Sequence, residues 1–176
     1  ATEGQEYDYA TLTQIAAKAE PFTSLINPSD ERFFKPDDMP EAIAGFCRET
    51  NQPEPATHGA TVRCVLESLA LLYAQRLEEV QQLTGEPINR LHIVGGGSRN
   101  GLLNQFTANA CDVKVIAGPT EATAIGNVLV QAIALGDLPD LASARQVVRE
   151  SMDVEPFHPE GSAAWDAART RFDKLP

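Results

Sequence analysis

Residues 91–106 read LHIVGGGSRNGLLNQF, a β-branched run that passes directly into three glycines and then into apolar residues at helical spacing. Leu91 to Val94 suits a strand, and Leu102, Leu103, Phe106 and Ala110 form the inner face of a helix. Gly95, Gly96 and Gly97 permit positive φ and put no Cβ in the way, so a ligand can lie against the backbone. The following helix offers free N–H groups and the positive end of its dipole, both favourable to an anion. A tight strand-to-helix turn without any ligand is the alternative use of the same glycines.

Downstream the pattern repeats: Val113 to Ile116 suits a second strand, which runs into GPTEATAIGN and a helix to about Leu135. Pro119 and Thr120 fit its start, and Ala122, Ala124 and Gly126 are small enough to let a neighbouring backbone approach. Upstream lies the strongest helical signal. Thr57 can cap it, Val62, Leu66, Leu69, Tyr73, Leu77 and Val80 recur on one face, and Gly85 with Pro87 stops it. Shorter helices are expected near Tyr7–Ala19 and between Pro40 and Pro53, the latter with Ile43, Phe46 and Cys47 facing inward. Between them FTSLINPSDERF is an extended piece ending in a turn. After Gly136 two further helices, near Leu141–Glu150 and Ala163–Lys174, flank a loop containing proline and glycine.

The order helix, strand, helix, strand, helix predicts an α/β layered domain with parallel strands. Two strands flanked by helices leave sheet edges unpaired, so further strands are expected upstream. The absence of an initiator Met and the opening in a polar stretch, ATEGQEYDYATL, raise the same expectation.

The chain has 176 residues, 43% hydrophobic, enough for one domain. Its formal charge of −11 and lack of a basic run argue against nucleic acid and anionic membranes. A phosphate site in such a chain has to use backbone N–H groups, a helix end or a divalent cation. No stretch is long and apolar enough for a membrane span, and the N-terminus lacks the pattern of an export signal. Cys47, Cys64 and Cys111 form no CxxC pair, and His58, His92 and His158 are far apart, so no metal-ligand spacing exists and a reducing cytoplasm is the expected compartment. Cys47 and Cys64 sit on helices whose boundaries should pack them as neighbours, with Cα atoms below about 7 Å.

Other chemistries find little support. GGGSRN puts Asn100 where a dinucleotide fingerprint needs its last glycine, and the acid expected at the tip of the next strand is missing. No P-loop string and no GxSxG occurs. Ser98 reads as a helix cap, His92 as a packed or hydrogen-bonded histidine, Trp165 as a helix-packing aromatic, and SDERFFKPDD as a solvated loop.

INPSDERF, RCVLESLALLYAQRLEEVQQLTG, LHIVGGGSRNGLLNQF and VIAGPTEATAIGN, in that order, resemble the C-terminal domain of the FGGY carbohydrate kinase family, in particular its L-rhamnulose branch. The likeness runs from roughly Phe22 to Gly136. The family signature on the long helix is matched at Glu67, Ser68, Leu69 and Ala70 and is degenerate upstream. The resemblance implies an incomplete ribonuclease H-like domain of the actin and hexokinase type over residues 1–176, lacking its opening strands and the whole N-terminal sugar domain. It implies cofactor-binding roles for Gly95, Gly96 and Gly97 against ATP and a place for Asn100 near the adenosine. It further implies Mg²⁺, a sugar as second substrate, and no catalytic residue or metal ligand in this chain, because the base and most phosphate contacts lie in the missing part. Another FGGY sugar kinase, a Rossmann-like protein and a non-catalytic ATP-sensing module are the alternatives.

Overall fold

The computed structural model describes residues 7–161 and 163–176. Its helices are α1 (Tyr9–Lys18), α2 (Met39–Glu49), α3 (His58–Thr84), α4 (Gly101–Cys111), α5 (Ala122–Leu135), α6 (Leu141–Ser151) and α7 (Ala163–Phe172). The strands are β1 (Arg90–Ile93), β2 (Lys114–Ala117) and β3 (Glu155–Phe157), and 3-10 turns cover Glu31–Phe33 and Gly95–Arg99. Helix starts follow local chemistry. The side chains of Asp8, Asp38, Thr57, Asn100 and Asp140 each accept a backbone N–H of the first turn, worth about 1 kcal/mol apiece. Gly85 and Gly136, both at positive φ, close α3 and α5.

The expected α/β class holds, with three strands among the described residues in order β1-β2-β3. β1 and β2 are parallel, Leu91 facing Val115, as the sequence predicts. β3 corrects the expectation of two strands: it runs antiparallel to β2, with Ile116 opposite Pro156, inside the segment expected to be loop. β2 is thereby central, and its Val115 and Ala117 are buried. No strand forms at Phe22–Ile26; that extended piece is held by side chains instead, with Phe22 N–H donating to Glu67, Leu25 N–H to Gln52 and Ile26 N–H to Ser68.

α3 is the core helix expected, and Leu66 and Leu77 of the predicted face are buried, but the buried face extends beyond it. Cys64, Glu67, Ser68, Leu71 and Ala74 are inside, whereas Tyr73 and Val80 are exposed. One cluster joins Leu66, Ala70 and Leu71 to Phe106 of α4 and to Trp165, Ala168 and Phe172 of α7. Trp165 packs as read, edge-on to Phe22 with ring centroids 4.8 Å apart. A second cluster joins Ile43, Phe46 and Cys47 of α2 to Cys64 and Ile26. Cys47 and Cys64 are free, buried thiols in this cluster, and the neighbouring Cys47 together with burial holds the Cys64 thiol well above the ordinary thiol range.

Candidate functional site

The glycine turn lies at the C-terminal end of β1, beside the corresponding end of β2. Two backbone bonds tie the two ends together: Gly118 N–H donates to Ile93 O at 2.8 Å, and Gly95 N–H to Pro119 O at 3.1 Å. The Gly118–Pro119 peptide is cis. Gly118 has φ +107°, and a Cβ there would stand 3.0 Å from Asp153 O, so only glycine fits this corner. GPT is thus a turn partnering the glycines, and α5 begins later, at Ala122. The close approach expected along α5 is absent, since a Cβ on Gly126 would meet nothing within 4 Å.

The three predicted glycines come together on one open surface. Gly95 takes φ +75°, and Gly96 and Gly97 are exposed. A Cβ on Gly96 would meet nothing within 4 Å, and one on Gly97 only Ile93 Cγ2 at 3.8 Å. No packing against the rest of the chain therefore demands glycine at Gly96, whose backbone is open on that side. Ser98 does not cap α4 as expected; its hydroxyl donates to Gly95 O at 2.7 Å. The cap is Asn100, whose Oδ1 accepts Leu103 N–H at 3.0 Å. Asn100 is buried and shapes the start of α4 from below, while the glycines face outward.

Around the turn, exposed Arg99 reaches Glu121 at 4.0 Å, a weak solvent-screened link between the two loops. His92 is exposed on β1, contrary to a packed role. It lines a cavity of about 490 Å³ with Tyr73, Leu77, Val80, Leu91 and Gly97, apolar apart from a few groups, between α3 and the edge of β1 that carries no strand among the described residues. Asn104, which sequence reasoning missed, is fully buried and donates from Nδ2 to Ser98 O at 2.9 Å. Nothing local in the sequence distinguishes it from the polar positions around it.

A parallel strand pair ending in an open glycine turn and a helix start defines a nucleotide-binding type of α/β domain. Residues 1–135 match the model of the FGGY family of carbohydrate kinases, C-terminal domain, and the chain belongs to that family. It is 52% identical over 164 residues to a rhamnulokinase of Bacteroides thetaiotaomicron, covering 93% of this chain and 34% of the relative. It is 43% identical over 155 residues to a rhamnulokinase of Bacillus subtilis, covering 88% and 32%. The chain thus spans about a third of the length of these relatives. Among solved structures it is similar to Plasmodium falciparum glycerol kinase with ADP, at TM-score 0.65 and 18% identity over 96% of this chain and 32% of that one. Xylulose kinase from Rhodospirillum rubrum gives TM-score 0.63 and 22% identity over 98% and 34%. Those two likenesses bear out the fold, and with the family match they set aside the Rossmann reading.

Proposed function

We propose that this chain is the nucleotide-facing C-terminal part of an ATP-dependent kinase that phosphorylates L-rhamnulose to L-rhamnulose 1-phosphate. The observation that carries the reading is the open glycine turn, where Gly96 has no packing neighbour to explain the absent side chain. The sugar rests on the identity to rhamnulokinases. Gly95, Gly96 and Gly97 present backbone to the nucleotide, and the N-terminal end of α4 adds its dipole. Asn100 acts from beneath, fixing where α4 starts. ATP, when bound, supplies the phosphoryl group, and the chain's contribution is to place it for in-line transfer. Among the described residues no group of three or more His, Cys, Asp or Glu side chains could hold a metal. Mg²⁺, when bound with the nucleotide, would supply charge neutralisation for the transferred phosphoryl group.

The base and the sugar pocket belong to an N-terminal domain of the same enzyme, and the strands that open this domain also precede residue 1. The free edge of β1 and the apolar cavity beside it support that reading, as does α5, which buries no residue and exposes Val128 and Val130. Among the described residues no helix is long and apolar enough to cross a membrane, which accords with a kinase of the cytoplasm. The test is Gly96→Val in the intact enzyme, assayed with L-rhamnulose beside xylulose and glycerol. We expect KM for ATP to rise about tenfold or more, KM for sugar to stay within about twofold, and L-rhamnulose to be preferred. Unchanged ATP kinetics would reduce the glycines to a turn, and preference for another sugar would reassign the substrate.

A further inference from the structure

We infer that Asn104 is the positioning residue of the glycine turn, its side-chain amide holding the Ser98 carbonyl so that Gly95–Gly97 keep one conformation for the nucleotide. This rests on reading that turn as a nucleotide site. Glycines have the widest choice of backbone angles, so a turn made of three needs fixing from outside. Within the turn the bonds are short-range ones, Ser98 Oγ to Gly95 O and Asn100 N–H to Gly97 O at 3.2 Å, and one backbone bond, Gly95 N–H to Pro119 O at 3.1 Å, ties its first residue to the neighbouring loop. Asn104 differs in kind. It sits one turn inside α4, fully buried, on a helix packed against α3 and β2, and reaches back six residues to Ser98 O. A carbonyl only accepts, so the atom facing it is Nδ2, and the plane of the Ser98–Arg99 peptide is set by a rigid helix.

The other half of the amide makes no hydrogen bond to the described residues: Asn104 Oδ1 is buried without a partner among them. Leucine, of similar shape, would fill the same space and remove the Oδ1 acceptor, while leaving Ser98 O without this donor.

The prediction is a separation of stability from nucleotide binding. In the intact kinase Asn104→Leu is expected to change the thermal midpoint little while raising KM for ATP about fivefold or more, with KM for sugar within about twofold. Asn104→Ala, which also lacks the donor but opens a cavity, is expected to lower the midpoint and raise KM for ATP similarly. It also serves if the leucine variant fails to fold. A merely structural role would move KM for ATP in neither. Gly96→Val measured alongside separates the two ideas. If it raises KM for ATP and both Asn104 variants leave it within twofold, the positioning role is wrong and the nucleotide reading stands. If none of the three moves it, both are wrong.

Discussion

At the scale of single residues, the polar groups inside the molecule were the least legible part of the sequence. The glycines could be read because a β-branched strand, three residues without side chains and a helical stripe occur together. Asn104 and Glu67 could not: Glu67 is explained by the Phe22 N–H far along the chain, and Asn104 by a carbonyl six residues back that no local pattern marks. Glu67 is only 1% exposed, and it accepts Phe22 N–H at 2.8 Å and Arg63 Nε at 2.6 Å. Arg63 also donates to Ala16 O and Ala17 O, so the pair joins α1, α3 and the extended segment. Burial, outweighing these hydrogen bonds, pushes the Glu67 carboxyl above its ordinary range. A raised carboxyl pKa means that the folded protein holds this proton after the unfolded chain has released it. Stability from this group is therefore greatest below the ordinary carboxyl range and falls as pH rises through the folded value. Calorimetry across that window should show Glu67→Gln lacking this downward component. Glu67→Ala should cost about 3–5 kcal/mol, by leaving Arg63 and Phe22 N–H without their acceptor. A midpoint for Glu67→Ala equal to the parent's at neutral pH would refute the account.

Among the elements, helices were legible to within a few residues because caps and stops are local. Thr57 and Gly85 bound α3 as their chemistry suggests, and α2 buries Ile43, Phe46 and Cys47 as predicted. The face of α3 was less so, because its inner side carries Glu67 and Ser68, which a hydrophobic stripe cannot reveal, and its Tyr73 lies on the open side toward β1. β3 escaped notice for another reason: three residues with a central proline carry no periodicity. Proline is tolerated because β3 lies outside β2, where its missing N–H breaks no interior ladder. One contact was not foreseen at all. Gly59 lies in the first turn of α3 against α1, and a Cβ added there would sit 2.7 Å from Ile15 O, a backbone atom that cannot step aside alone. Gly59→Ala should push α1 off α3 and cost about 1–3 kcal/mol in spite of alanine's better helix propensity. Denaturant unfolding is the measurement, and a stabilised variant would show that α1 is not seated as described.

On the scale of the whole molecule, the architecture has one closed side and one open side, and the proposed chemistry lies toward the open one. The closed side is the pair of clusters on α3. The open side carries the free edge of β1, the apolar cavity beside Tyr73 and Leu77, and α5, whose Val128 is 65% exposed. From this follows the last prediction: this chain by itself should show no measurable phosphotransfer. On the proposed reading the glycine turn would supply backbone and a helix end for one part of ATP only. Positioning is most of what an enzyme contributes to phosphoryl transfer, so without the base, the sugar pocket and the remaining phosphate contacts nearly all acceleration goes. A site open to solvent also leaves water to screen each remaining charge, and the ordering cost of ATP is then offset by few contacts. Binding should be about millimolar or weaker. The assay incubates the purified chain with ATP, Mg²⁺ and L-rhamnulose, follows ADP and sugar phosphate, and uses the full-length enzyme as control. Turnover within about tenfold of that control would overturn the assignment of catalysis to the N-terminal part.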